Sequence, residues 1–178
     1  MNNNDFHQLL LTRHSIRRYT SEPLTPEQVK TILEAALLAP TSKNARSWHF
    51  TVVDHPDLLA QLAQCKPLYA HSIGKAPLAI VVSANPELSD VWVEDASVAA
   101  TLIHLQVEAL GLGSCWIQVR NRMHDDETTA SEWVKELLGI DGAQQVVCIL
   151  SIGHKDEQRR PVDPEKLKWD HVTIKTAD

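Results

Sequence analysis

The chain has no run of about 18 apolar residues, so nothing in it reads as a membrane span. It also lacks a positive excess. Its 17 Lys and Arg stand against 23 Asp and Glu, and the net charge of −6 argues against a general nucleic-acid binder, which carries a basic face. The first residues, Met1-Asn2-Asn3-Asn4-Asp5, hold no basic segment followed by an apolar one. A secretory signal is therefore not expected, and a cytoplasmic protein is. Cysteine is scarce: Cys65, Cys115 and Cys148 are widely spaced, odd in number and form no Cys-x-x-Cys. That excludes a disulfide framework and a zinc knuckle as readings. Nine histidines occur without His-Glu-x-x-His spacing, so no metal site is expected. No Gly-x-Ser-x-Gly elbow, internal repeat or low-complexity tract is present.

What remains is a chain of 178 residues with 43% apolar content, enough for one domain over residues 1–178. Asp5 to Leu11 reads as a short helix with Asp5 as its cap and Phe6, Leu9 and Leu10 on one face. Thr25-Pro26-Glu27-Gln28 opens a second helix with a capping box, ended near Ala39 by Pro40. Trp48–Val53 reads as a strand, 57–64 as a helix and 78–83 as a buried strand. A long helix is expected from Trp92 to Leu110, with Val98, Leu102, Leu105 and Ala109 at helical spacing and Gly111 as its stop. Strand 114–119, helix 130–138 and strand 145–152 follow, and 168–175 reads as a final edge strand. Helices and strands alternate without a dividing linker, which indicates an α+β fold.

Four segments carry chemistry. The run Arg13-His14-Ser15-Ile16-Arg17-Arg18-Tyr19 concentrates positive charge and small donors in an acidic chain. Forked guanidinium donors and a hydroxyl suit a phosphate dianion. Equally, arginines decorate helix C-termini and sit in water. Ala39-Pro40-Thr41-Ser42-Lys43-Asn44-Ala45-Arg46-Ser47-Trp48-His49-Phe50 reads as a polar loop between helix and strand, or as dense donors suited to a ligand rich in acceptors. Gly111-Leu112-Gly113-Ser114-Cys115-Trp116-Ile117-Gln118 follows a helix and enters a strand, the reverse of a dinucleotide-binding turn, and lacks the third glycine. It reads as a helix stop and core strand, or as backbone that approaches a flat ring beside Trp116 and Ile117. Ile152-Gly153-His154-Lys155, with Arg159 and Arg160 beyond, is a strand end and charged loop, or a second set of cations closing on a phosphate.

In this order the four segments, with Glu94-Asp95-Ala96-Ser97-Val98-Ala99-Ala100 on the long helix, resemble the nitroreductase family of FMN-dependent oxidoreductases, in particular its compact members. The resemblance implies a central, mostly antiparallel sheet flanked by helices in an intertwined homodimer, with two FMN sites lined by both chains. It places Arg13, His14, Ser15 and Arg17 on the phosphate, ribityl chain and pyrimidine edge, and Pro40, Thr41, Ser42 and Asn44 on the same flavin from the partner. Trp116, Ile117 and Gln118 would line one ring face, with a backbone N–H near Gln118 toward the flavin N5. Gly153 and Arg159 or Arg160 would complete the phosphate end, and the segment Trp169 to Ile174 would embrace the partner. Arg46 and Ser47 depart from the Gln-Pro that members often carry before the tryptophan, which bears on substrate preference.

The function so implied is hydride transfer from NADH or NADPH through FMN to an electron-poor small molecule, a nitroaromatic or quinone, by a ping-pong cycle. Arg17, and after it Arg46, are the cations expected near the pyrimidine side. No side chain is assigned as catalytic, because the cofactor carries the reaction. Three alternatives stay open: a non-catalytic flavin sensor, a flavin enzyme of the same fold performing dehydrogenation or dehalogenation, and a cofactor-free acidic interaction domain.

Overall fold

A computed structural model describes residues 3–176. Helix α1 (Asn3–Thr12) begins two residues before Asp5, so that residue is not its cap, and its side chain lies outside the described residues. Helix α2 (Pro26–Leu37) starts as expected. Thr25 accepts from the Gln28 N–H, and the Gln28 side chain accepts from the Thr25 N–H. Strand β1 (Trp48–Val53) leads into α3 (Pro56–Leu62), β2 (Leu78–Ala84) and α4 (Trp92–Ala109). After these come β3 (Gly113–Gln118), α5 (Ala130–Leu138) and β4 (Gln145–Gly153). Helix α5 carries a second capping box, Thr129 with Glu132.

The four strands form one antiparallel sheet in the order β1-β2-β4-β3. All seven residues of β2 are buried, because helices cover both faces of the sheet. Alternation along β2 sends Leu78, Ile80 and Val82 to the layer that holds Ile32 and Ala36 of α2 and Ile103 of α4. It sends Ala79 and Val81 to the opposite layer, with Leu59 and Leu62 of α3 and Val134 of α5. The three cysteines are buried free thiols.

Helix α4 is apolar on two sides. Ala96, Ala99, Ala100, Ile103 and Val107 face the sheet. The other stripe, Val98, Leu102, Leu105 and Ala109, turns outward, and Val98 is 40% exposed. Leu102, Leu105 and Ala109 line an apolar groove of about 290 Å³ with Phe6 and Leu9 of α1, Ala35 of α2 and Leu38 just after it.

The expected edge strand over 168–175 does not form. Residues 158–176 are exposed, and only short turns, Pro164–Lys166 and Trp169–His171, interrupt the extended chain. A strand needs a ladder partner, and this segment pairs with none among the described residues, although Trp169 and Ile174 expose large apolar side chains.

Candidate functional site

β3 is an edge strand, and the basic run docks onto its open side. The Ile16 N–H donates to the Ser114 carbonyl at 2.9 Å, and Ser15 and Ser114 form an isolated parallel bridge. Farther along, the Thr20 N–H donates to the His154 carbonyl at 3.0 Å. Two glycines make this approach possible. A Cβ on Gly113 would lie 2.8 Å from Ile16, and one on Gly153 would lie 2.6 Å from Pro77 and 3.0 Å from the Tyr19 ring. Gly153 is thus buried packing that seats Tyr19. The Tyr19 hydroxyl donates to the Ile16 carbonyl and pairs with the Ser151 hydroxyl at 2.9 Å, and burial raises its pKa.

The loop straddles the strand edge. Half-buried Arg13 acts on His104, a buried histidine of α4 whose Nδ1 is hydrogen-bonded to the Ser114 hydroxyl at 2.6 Å. Burial, reinforced by Arg13, lowers the His104 pKa to about 4, so its ring is neutral. Arg17 lies toward the other side, near the Cys115 thiol. Burial pushes that thiol up, while Arg17 and a hydrogen bond from Ser72 oppose the shift.

Both chain ends meet here. Glu157, which no motif or periodicity marks, accepts the backbone N–H of Arg17 at 2.6 Å and of Arg18 at 3.2 Å. Its second oxygen binds the Arg159 guanidinium at 3.0 Å. The two N–H bonds, above all that of Arg17, hold the Glu157 pKa below the usual carboxylate value, against the opposing effect of burial. Arg160 joins the loop through its carbonyl, which accepts from His14 Nε2–H at 2.8 Å. Beside them a cleft of about 840 Å³ is walled by Arg18, Lys155, Glu157 and Arg159, and Glu108 binds Lys155 through both oxygens at 2.9 Å.

Strand alternation divides the residues expected at a ring face. Trp116 is half-buried and stacks on His104, with ring centroids 6.2 Å apart. Its indole N–H donates to Gln118 Oε1 at 2.9 Å. Ile117 points to the opposite layer, 1% exposed among α3 and α5 residues, so its side chain cannot line that face; only its backbone remains available. The Gln118 carbonyl accepts from Lys66 Nζ at 2.8 Å. Sequence reasoning missed Lys66, since nothing in its own segment announces a partner 52 residues away.

The turn at residues 40–46 is held open by its own geometry. Lys43, Asn44 and Arg46 have φ of 53°, 56° and 48°, a left-handed region that costs of order 1 kcal/mol for each non-glycine residue. Buried Asp95 compensates: it accepts the Ser42 N–H at 2.9 Å and the Ser89 hydroxyl at 3.2 Å. Thr41 Oγ1 accepts the Arg46 N–H, and Arg46 Nε–H donates to Asn44 Oδ1. Pro40 is exposed. Among the described residues no hydrogen bond or cavity joins this turn to residues 13–18 of the same chain.

Comparison with known proteins adds the following. The model of the Nitroreductase family matches residues 10–66 and 59–154. A relative from Archaeoglobus fulgidus, provisionally named an NADH dehydrogenase/NAD(P)H nitroreductase, is 36% identical over 156 residues, 85% of this chain and 86% of its own. The structure of an FMN-dependent nitroreductase from Clostridium difficile is 44% identical, with TM-score 0.93 over 96% of this chain and 99% of that one. The NADPH:FMN oxidoreductase of Vibrio harveyi, solved with NAD+, is 25% identical with TM-score 0.81, covering 98% of this chain and 79% of the other.

Proposed function

Because the chain belongs to the nitroreductase family, we propose that it is an FMN-dependent NAD(P)H oxidoreductase acting on small electron-poor acceptors. The observation that carries this is a basic loop laid along the open edge of β3, with cations on both sides of the strand and the Trp116 face beside it. When bound, FMN would supply the redox chemistry, electron transfer between a reduced nicotinamide and an electron-poor acceptor such as a nitroaromatic or quinone.

The donor set fits that cofactor. Arg13, Ser15 and Arg17 offer guanidinium and hydroxyl donors to a phosphate, a ribityl chain and a pyrimidine edge, with His14 between them. Glu157, bonded to the loop, also holds the Arg159 guanidinium, while the Arg160 carbonyl positions His14. Trp116 and the backbone of 117–118 form the wall on which a flat ring rests. Lys66 secures the Gln118 carbonyl and with it the orientation of that peptide. His104, neutral and hydrogen-bonded, and Tyr19, whose proton is held by the Ile16 carbonyl, do not serve as proton donors at neutral pH.

The site is completed by a second copy of the chain. Pro40, Thr41, Ser42 and Asn44 lie on a pre-shaped turn that, among the described residues, forms no hydrogen bond with the basic loop of its own chain. The outward stripe of α4, its apolar groove and the exposed apolar residues of 162–174 supply surface for such a partner. Purified protein is expected to be yellow, to bleach with NADH or NADPH, and to run as a dimer in light scattering. A colourless protein that takes up no FMN on titration refutes the reading.

A further inference from the structure

Past Gln118 the chain leaves β3 and turns through Arg120, Asn121 and Arg122, where a cavity of about 540 Å³ opens. That volume lies within the range of small-molecule sites. Its walls include Trp92 of α4, the two arginines, Asn121, Thr129 and Gln145, and no wall residue bears a carboxylate. The Arg120 guanidinium lies over the Trp92 ring, 5.5 Å from its centroid. Neither arginine has an ion-pair partner among the described residues. In a chain of net charge −6 such a cavity stands out. The cleft beside Arg18 differs, for there Lys155 and Arg159 are each paired with a glutamate. Two acids of the neighbouring segment are engaged elsewhere. Glu132 caps α5 through Thr129, and Asp125 accepts the N–H groups of Glu127 and Thr128.

The cavity is wired to the strand that faces the ring. Trp116 donates to Gln118, and the Gln118 amide donates to the Arg120 carbonyl at 3.0 Å. Lys66 holds the Gln118 carbonyl, and Arg122 is close enough to Lys66 to add to the effect of burial in lowering its pKa. A chain of hydrogen bonds through Trp116, Gln118 and the Arg120 carbonyl thus runs from the wall of the proposed flavin site to the rim of the cavity.

We propose that this cavity is a second subsite, which takes the anionic end of a flat substrate whose ring rests at the Trp116 face. Arg120 and Arg122 pair with phosphate or carboxylate oxygens, and the Trp92 ring keeps the Arg120 fork oriented. Two sources share this chemistry: the pyrophosphate of a reduced nicotinamide, and the carboxylate of an acceptor such as para-nitrobenzoate. The inference rests on the flavin reading above.

The test replaces both arginines in the holoprotein, Arg120→Gln with Arg122→Gln. KM is measured for NADH against N-benzyl-dihydronicotinamide, which lacks phosphate, and for para-nitrobenzoate against nitrobenzene. Calorimetric titration with NAD+ and with para-nitrobenzoate reads binding without turnover. KM for the charged member of at least one pair is expected to rise about tenfold or more, its neutral counterpart to stay within about twofold, and the calorimetric affinity to fall in step. The pair that responds identifies the source. Arg120→Lys with Arg122→Lys, which keeps the charge but loses the fork stacked on Trp92, should bind better than the Gln pair and less well than the wild type. Charged and neutral members that respond alike in both pairs, with flavin content unchanged, overturn the proposal. Wild-type protein that never binds flavin refutes the earlier reading instead, and the calorimetric comparison of wild type with the Gln variant still decides this one.

Discussion

Gly113→Ala tests whether the basic loop owes its position to the bare backbone of β3. The new Cβ would meet Ile16 Cβ and Cγ2 at 2.8 Å and Cγ1 at 3.0 Å. Reaching ordinary contact at 3.4 Å requires Ile16 to retreat by roughly 0.6 Å. That retreat stretches the 2.9 Å bond from the Ile16 N–H to the Ser114 carbonyl beyond useful length. Overpacking a buried contact costs about 1–3 kcal/mol, and the lost hydrogen bond about 1 kcal/mol. At ~2–4 °C per kcal/mol for a chain of this size, the melting temperature should drop by roughly 4–16 °C. Because Ser15 and Arg17 flank Ile16, the same shift displaces the ligand donors by about the 0.5 Å that a preorganised site tolerates. The FMN dissociation constant should therefore rise about tenfold or more. Thermal unfolding at fixed protein concentration and flavin-fluorescence titration measure the two effects. Gly142→Ala, whose Cβ meets nothing within 4 Å, is the control. A Gly113→Ala protein that matches this control in both assays would refute the account of how the loop is seated.

Other consequences follow from the same geometry. Ser15→Ala combined with Arg17→Ala should weaken FMN binding by roughly 1.5–3 kcal/mol for each charged hydrogen bond lost, while the far-ultraviolet dichroism stays that of the wild type. Burial depresses the His104 pKa to about 4, so below the unfolded value near 6.5 the unfolded chain takes up the proton first. Stability should fall as the pH drops from about 6.5 toward 4, and His104→Gln should flatten that part of a urea-midpoint profile. Leu105→Glu places a charge in the outward groove of α4 and should convert the proposed dimer to monomer in light scattering without lowering helix content; a variant with the same dimer as the wild type would show that this face is not the contact.

Local chemistry made most elements legible. The capping boxes at Thr25 and Thr129, the runs of Ile and Val in β2 and β4, and Gly111 after α4 each act within a few residues, so their consequences can be read along the chain. The basic run and the polar turn at residues 40–46 were visible as donor-rich segments for the same reason. Contacts between distant segments were not. Glu157 is an ordinary acid until the fold carries it 140 residues back to the Arg17 N–H. Asp95 was part of a helix motif without a role until its carboxylate met Ser42. The apparent edge strand at 168–175 had the right residue types and no ladder to join. The family itself was recognisable because the ordered spacing of its segments survives in sequence.

The amino-acid order alone determined the type and approximate place of most helices and strands, which segments carry cationic donors, and that the central strands β2 and β4 had to be buried. These depend on neighbours within a turn or two, where propensity, capping and alternation act. Only the packed chain decided the order β1-β2-β4-β3, the outward turn of the Val98–Leu105 stripe, the opposite facing of Trp116 and Ile117, and the meeting of Glu157 with Arg17. Those depend on which strand edge is left open and which face a helix buries, and both are set by competition for area across the whole molecule rather than by any local residue.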